Sequence, residues 1–392
     1  MNIRRLNLRN VVKIGVTCLA VSSMMFLGCK NKDKVGDGSA GNPFKVANLA
    51  DLKRVASGEK GLGGTWSHDK HYVQTADIDL ASVPNWTPIS KSSSFSGTYD
   101  GGGFTISNLK IVGDKESNGL GLFKDVSGTV ANIRLLNVYI TGNKYIGSVA
   151  SSVLNGGTIH HCYVHNLTLH ALYILAGGVT GSISSGGTVS NCMTIGGTIT
   201  NDNLNDGKLG GITGENSGMI KNCYSTVDVN GKVWIGGLVG NNANGTVQYC
   251  YATGDVTSLN QAIGGIAGNT FDAKIYNCVA LNRELKKTSI TSLSSMGRIT
   301  GTGTNTNRSD NYARSDMKLY GKDVKPFDIP ASDISLTSIH GANVEAADYN
   351  GANSGTWWSN TAKFPSSDWD FAPNRLPHLK GFNGLTQNPT VK

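Results

Sequence analysis

Residues 234–250 read WIGGLVGNNANGTVQYC: an apolar pair, two glycines, a second apolar pair, a polar turn, a short Thr-Val-Gln segment and a cysteine. The phrase returns as LAGGVTGSISSGGTVSNC from Leu175, LGGITGENSGMIKNC from Leu209 and IGGIAGNTFDAKIYNC from Ile263. Looser copies are YIGSVASSVLNGGTIHHC from Tyr145 and GLGLFKDVSGTVANI from Gly119, the latter with Ile133 where the others carry cysteine. Cys162, Cys192, Cys223, Cys250 and Cys278 are therefore 30, 31, 27 and 28 residues apart. A period of that length marks a solenoid, in which one repeat is one coil and buries its apolar face only against its neighbours.

Within a coil, Leu238, Val247, Cys250 and Val256 recur in register and are separated by turn residues, which predicts three short strands per coil. The fold class is all-β, a right-handed parallel β-helix with terminal caps. Leu122, Val149, Val179, Ile212, Leu238 and Ile266 form one inward column, and Val130, Ile159, Val189, Ile220, Val247 and Ile275 a second, with like residues about 4.8 Å apart on neighbouring coils. Asn191, Asn222 and Asn277 precede the cysteines, and Asn132 precedes Ile133; these corner amides tolerate unusual backbone angles and can pair with their counterparts one coil away. The glycine pairs at 177–178, 210–211, 236–237 and 264–265 read as tight corners for the same steric reason.

The first 28 residues are of another kind. Arg4, Arg5, Arg9 and Lys13 precede an apolar run from Ile14 too short to span a membrane, as in an export signal. The run ends at FLGCK, residues 26–30, which resembles the lipobox of bacterial lipoproteins: Gly28 and Cys29 fit it, and Phe26 stands where Leu, Val or Ile is usual. That resemblance implies acylation of Cys29 and a partner in the membrane. Residues 29–43 then read as a solvated tether, 44–93 as an N-terminal cap, 94–315 as the β-helix and 316–392 as a C-terminal cap. Loss of residues 1–28 lowers the formal charge from +8 to +4, and the basic residues are scattered without interleaved aromatics, so nucleic acid is not an expected partner.

The repeated GGLVG…NGTVQYCYATGDV resembles the GLUG motif of bacterial surface proteins and of extracellular segments in some immunoglobulin-A-cleaving metallopeptidases, and residues 71–111 resemble the segment that precedes such repeats. The likeness spans about residues 44–300, and the stretch from Trp357 is similar to a closing segment of related lipoproteins. What it implies is architecture and an envelope location. The zinc signature H-E-x-x-H of the metallopeptidases does not occur in this chain, so no peptidase role carries over.

Chemistry is sparse in the repeats. The five cysteines read as free buried thiols in one inward column rather than disulfides, and no C-x-x-C spacing offers a metal site. His160, His161, His165 and His170 cluster in one coil, but strand parity scatters them over different faces. Asp228 and Asp255 form an isolated acidic column, too little for the converging acids of a polysaccharide lyase or hydrolase. Thr129, Thr158, Thr188 and Thr246 make only one interrupted threonine column, short of an ice-binding ladder. No catalytic residue and no cofactor is assigned.

Since cysteine points inward, the next residue points outward, giving the column Arg134, Tyr163, Met193, Tyr224, Tyr251 and Val279. Tyr163, Tyr224 and Tyr251 are the candidate ligand contacts on that stripe, for a host glycan or an extracellular protein; the alternative is that these side chains merely cover the corner of the coil or lie beneath inserted loops. The loops at 201–208 and 256–262 are the next candidates. The expectation is a lipid-anchored surface binding or adhesion module; the alternative is a polysaccharide-binding or polysaccharide-degrading β-helix.

Overall fold

The computed structural model describes residues 35–61, 63–202, 206–289, 292–322 and 325–392. The expected export signal, residues 1–28, and Cys29 lie outside the described residues.

The chain is a parallel β-helix. Among the described residues its long sheets contain ten, fifteen, seven and seven strands, and successive coils pair in parallel throughout. Both inward columns expected from the repeats are fully buried. Val130, Ile159, Val189, Ile220, Val247 and Ile275 are partners in unbroken register. In the other column each amide donates to the carbonyl of the coil above or beside it, as in Val179 to Ile212 at 3.0 Å and Ile212 to Leu238 at 2.9 Å. Burying one such side chain contributes about 1.5–3 kcal/mol, and the stack repeats that gain in every coil.

A coil has four strand segments rather than three. In the coil from Lys144 they are Lys144–Gly147, Ala150–Val153, Thr158–His160 and Tyr163–Ala171. The glycine-rich phrase itself folds into the first two segments, and the glycine pair lies at their junction. These glycines are not at positive φ. A Cβ on Gly237 would lie 2.1 Å from the Gly265 carbonyl oxygen, and one on Gly178 2.2 Å from that of Gly211. Close approach of the next coil, rather than an unusual dihedral, requires glycine there.

The corner before each cysteine is left-handed. Asn132, His161, Asn191, Asn222, Tyr249 and Asn277 all have φ between 52° and 56°. Their side chains do not pair with one another, and their partners are described with the site below. A ladder of amides bonded from coil to coil occurs instead at Asn108, Asn137 and Asn166, where Nδ2 of Asn166 donates to Oδ1 of Asn137 at 2.8 Å and Asn137 to Asn108 at 3.2 Å. These three also have positive φ, so the ladder supports a strained corner with its own hydrogen bonds.

Helix α1, Leu49–Ser57, covers the first coil with Leu52 and Val55 buried; Asn48 caps it by accepting from the Asp51 amide, and Gly58 ends it at φ 71°. Phe44 stacks on Trp66 at 4.7 Å beneath it. Part of the expected tether belongs to this cap: Val35 packs on the core and the His71 amide donates to the Gly38 carbonyl at 3.0 Å.

At the other end the β-helix runs past residue 315. Lys318–Tyr320 pairs with Glu284–Lys287, and Ala342–Val344 pairs with Tyr312–Arg314. The last turns are held by Arg298, 1 % exposed, whose guanidinium donates to the carbonyls of His340, Arg314 and Gly341 and to Oδ1 of Asn343 at 2.8–3.2 Å. It satisfies carbonyls that have no further coil to pair with, and burial pulls its pKa down to about 10. No helix among the described residues is long and apolar enough to cross a membrane.

Candidate functional site

The two flanks of the long sheet differ. On the first, the expected outward column is confirmed in register: Arg134, Tyr163, Met193, Tyr224, Tyr251 and Val279 are consecutive partners. The column is nevertheless covered. Tyr224 and Tyr251 are fully buried and Tyr163 is 6 % exposed, because residues 346–392 do not close the end of the solenoid but fold back along this flank.

The contacts explain why. The Tyr224 and Tyr251 rings stack at 4.7 Å, and Trp358 and Trp369 lie 5.5 and 5.7 Å from Tyr251. The Tyr251 hydroxyl donates to the Pro377 carbonyl at 2.9 Å and that of Tyr224 to Oε1 of Gln387 at 3.3 Å. Burial raises both phenol pKa values well above the usual one. The corner asparagines serve the same junction: Asn191 donates to Asp368, Asn222 accepts from the Trp369 indole, and Asn277 donates to the Ala362 carbonyl, at 2.8–3.2 Å. Asp228 and Asp255 are also engaged there, both by Lys392, and Asp255 by Arg283 at 2.9 Å. Tyr163, Tyr224 and Tyr251 thus form a second apolar core: of the two readings of the stripe, a ligand face or side chains covered by further chain, the structure shows the covered one. Sequence placed the stripe on the outside correctly but carries no mark of where the closing segment docks.

The four histidines do not converge, although the left-handed corner at His161 brings one adjacent pair together against strand parity. His160 and His161 approach each other at 3.0 Å through their Nδ1 atoms, His165 stacks on Tyr163, and His170 contacts Thr200 and Asp202. Burial lowers the pKa of both His160 and His161. No three metal-ligating side chains converge among the described residues.

The opposite edge of the same long sheet is open. Tyr139, Thr168 and Thr198 lie in register on its outer face, beside Thr141, His170 and Thr200. The strands end in a corner whose turns also stack: the Leu172 amide donates to Gly142, Tyr173 to Asn143 and Asp202 to Ala171 at 2.8–3.1 Å. Lys115, Asn143, Lys144, Leu172, Tyr173 and Asp202 line a cavity of about 550 Å³ at this corner. Tyr173 is 42 % exposed with the Lys144 ammonium 4.7 Å from its ring centre, and Asp202 lies 3.0 Å from Nε2 of His170. Asp202 falls in the expected loop 201–208. The other lining residues were missed, although Lys115 and Tyr173 sit in the turn just before a glycine-rich phrase and Lys144 opens the first strand of one.

Residues 235–257 match the family model described as the GLUG motif. The chain carries a GLUG motif on a parallel β-helix. The matched stretch runs from the first short strand of one coil to the corner of the long sheet. Halomucin of Haloquadratum walsbyi is 32 % identical over 139 residues, which are 32 % of this chain and 1 % of halomucin. The immunoglobulin A1 protease of Streptococcus pneumoniae is 31 % identical over 194 residues, 45 % of this chain and 9 % of that protein. The chain therefore matches only a small part of these relatives. A solved structure from Bacteroides ovatus, of a "putative immunoglobulin A1 protease", superposes with a TM-score of 0.58 over 90 % of this chain and 96 % of that one, at 19 % identity. That likeness extends the shared fold beyond the GLUG coils to the terminal segments.

Proposed function

We propose that this GLUG-coil protein is a binding or adhesion module of the bacterial cell surface, carried there by acylation of Cys29. The observation that carries the reading is the asymmetry of the flanks. The closing segment seals one side of a stiff solenoid, while the other keeps an aromatic and polar face with a cavity of ligand size. Similarity to stretches of halomucin and immunoglobulin A1 protease, surface or secreted proteins, supports display outside the cell. In the acidic column, Asp228 pairs with Lys392, and Asp255 with Lys392 and Arg283.

Two measurements test it. Protease added to intact cells should remove the protein, and the mature protein should carry lipid and enter the detergent phase of a phase separation. The Cys29→Ser variant should lose the lipid and leave the membrane fraction. A protein untouched by external protease overturns the surface reading; a wild-type protein that stays in the aqueous phase overturns the anchor.

A further inference from the structure

We propose that the corner cavity beside Tyr173 binds a carboxylated sugar of a linear glycan laid across the coils. The inference rests on the reading of the chain as a binding module and names the ligand class of its open flank.

The first argument is charge. Lys115 and Lys144 both line the cavity, and among the described residues neither ammonium has a carboxylate within ion-pair distance. Among the described residues Asp202 is the cavity's one acid, and it is already held by His170 at 3.0 Å. The site therefore offers two unpaired cations to one engaged carboxylate. A carboxylate entering it gains two charge-assisted hydrogen bonds, and a neutral sugar gains neither.

The second argument is shape. Tyr173 supplies a flat apolar surface with a polar tip at the mouth of a cavity within the volume range of small-ligand sites. A pyranose ring is itself flat and apolar on one face. The hydroxyls round its rim meet Asn143, whose own Nδ2 is fixed by Asn118 at 3.1 Å, and the Asp202 carboxylate.

The third argument is period. Thr168 and Thr198 share one outward column with Tyr139, and Thr141 and Thr200 share the next with His170, two residues before the corner that the cavity occupies. Hydroxyls in such columns repeat at the inter-coil distance of about 4.8 Å. That distance is comparable to the length of one pyranose unit, so successive sugars of an extended chain can meet successive coils. Extended polymers gain most from such a surface, because each added sugar repeats a contact already pre-organised by the solenoid.

The test uses the full chain in detergent with fluorescent hexagalacturonate, an oligosialic acid, and the carboxyl-reduced form of each. At least one acidic probe should bind, and its reduced counterpart should bind about a hundredfold more weakly, the loss expected for two charge-assisted contacts. Lys115→Gln with Lys144→Gln should lose binding by the same factor and flatten its salt dependence. Tyr173→Ala should weaken both forms of the probe alike. All three side chains lie at the surface, so melting temperatures should not change. Which acidic probe binds separates a uronic acid from a sialic acid as the source of the carboxylate. Failure of both probes, equal binding of the reduced form, or indifference to the three substitutions overturns the assignment. Cells that remain protease-sensitive and adherent in that event would still support the binding-module reading, so the two failures are distinguishable.

Discussion

At the residue scale the cysteine column carries the sharpest consequence. Cys162, Cys192, Cys223, Cys250 and Cys278 are all free and fully buried. Each thiol donates to the carbonyl two residues earlier, from 3.0 Å at Cys250 to 3.4 Å at Cys162 and Cys278. Two sulfurs also accept from the preceding coil, since the amide of Cys192 donates to Sγ of Cys223 and that of Cys223 to Sγ of Cys250. The column ends at Asn311, whose Oδ1 accepts from the Cys278 amide at 3.1 Å. Burial pushes the thiols of Cys162, Cys192 and Cys250 well above the usual range. In the folded protein they stay protonated at a pH where the unfolded chain has lost those protons, so the folded state binds more protons. Their contribution is complete below the ordinary thiol pKa of about 8.5 and is lost as pH rises through it toward the folded values. Stability should then fall above that pH by about 1.4 kcal/mol per unit for each such thiol. Urea midpoints between pH 7.5 and 10 would show it, and the Cys250→Ala variant should have a shallower slope. An alkylating reagent should label these thiols slowly in the native protein and all five in urea; rapid native labelling would contradict the register.

The element that reshapes the reading is the closing segment, residues 346–392. An open tyrosine stripe would survive replacement of its rings without loss of fold. A covered one cannot, because Tyr251 lies against Trp358 and Trp369 and bonds Pro377. Trp369→Ala should cost about 3–5 kcal/mol, since it leaves a large cavity and orphans the Asn222 amide oxygen that accepts from the indole. Replacing Tyr163, Tyr224 and Tyr251 together by Ser should release the segment. Limited proteolysis with cleavage after residue 345, together with new binding of a hydrophobic dye, would report it. Full protection in the triple variant would mean that the junction is held elsewhere. The coils themselves were legible because their cause is local: a period near 30 residues, apolar positions in register, and a left-handed corner that favours Asn. The helix over the first coil was legible for the same reason, through the helical spacing of Leu49, Leu52 and Val55, while its Asn48 cap came only with the structure. Docking of a segment that contacts residues well over a hundred positions away leaves no periodic trace, and it decided the fate of the tyrosines. The corner cavity was half legible: loop 201–208 drew attention to Asp202, but Tyr173 acquires its partners Lys115 and Lys144 only when three coils stack.

For the whole molecule, the question is how far a solenoid with a strap along its side still behaves as a sum of coils. Each coil contacts its neighbours, so a coil can in principle be removed without harm to the rest. Residues 223–249 are one such unit, running from one cysteine to the residue before the next, and their deletion joins Asn222 to Cys250 as Asn277 joins Cys278. The sheets, the thiol column and the inward stacks all close up in register. The strap has no such freedom. Its anchors are Asn191, Asn222 and Asn277, on separate coils, and they match Asp368, Trp369 and Ala362 in a fixed spacing. Loss of one coil moves Asn277 about 4.8 Å toward Asn222 and removes Tyr224, one half of the stacked pair. The deletion should therefore keep the far-ultraviolet signature of a β-helix while residues 346–392 become open to protease. The same deletion leaves Tyr173, Lys144 and the coils that build the corner cavity intact, so binding of an acidic glycan should persist. A strap that stays protected after the deletion would mean that its apolar surface, rather than the asparagine spacing, sets where it docks.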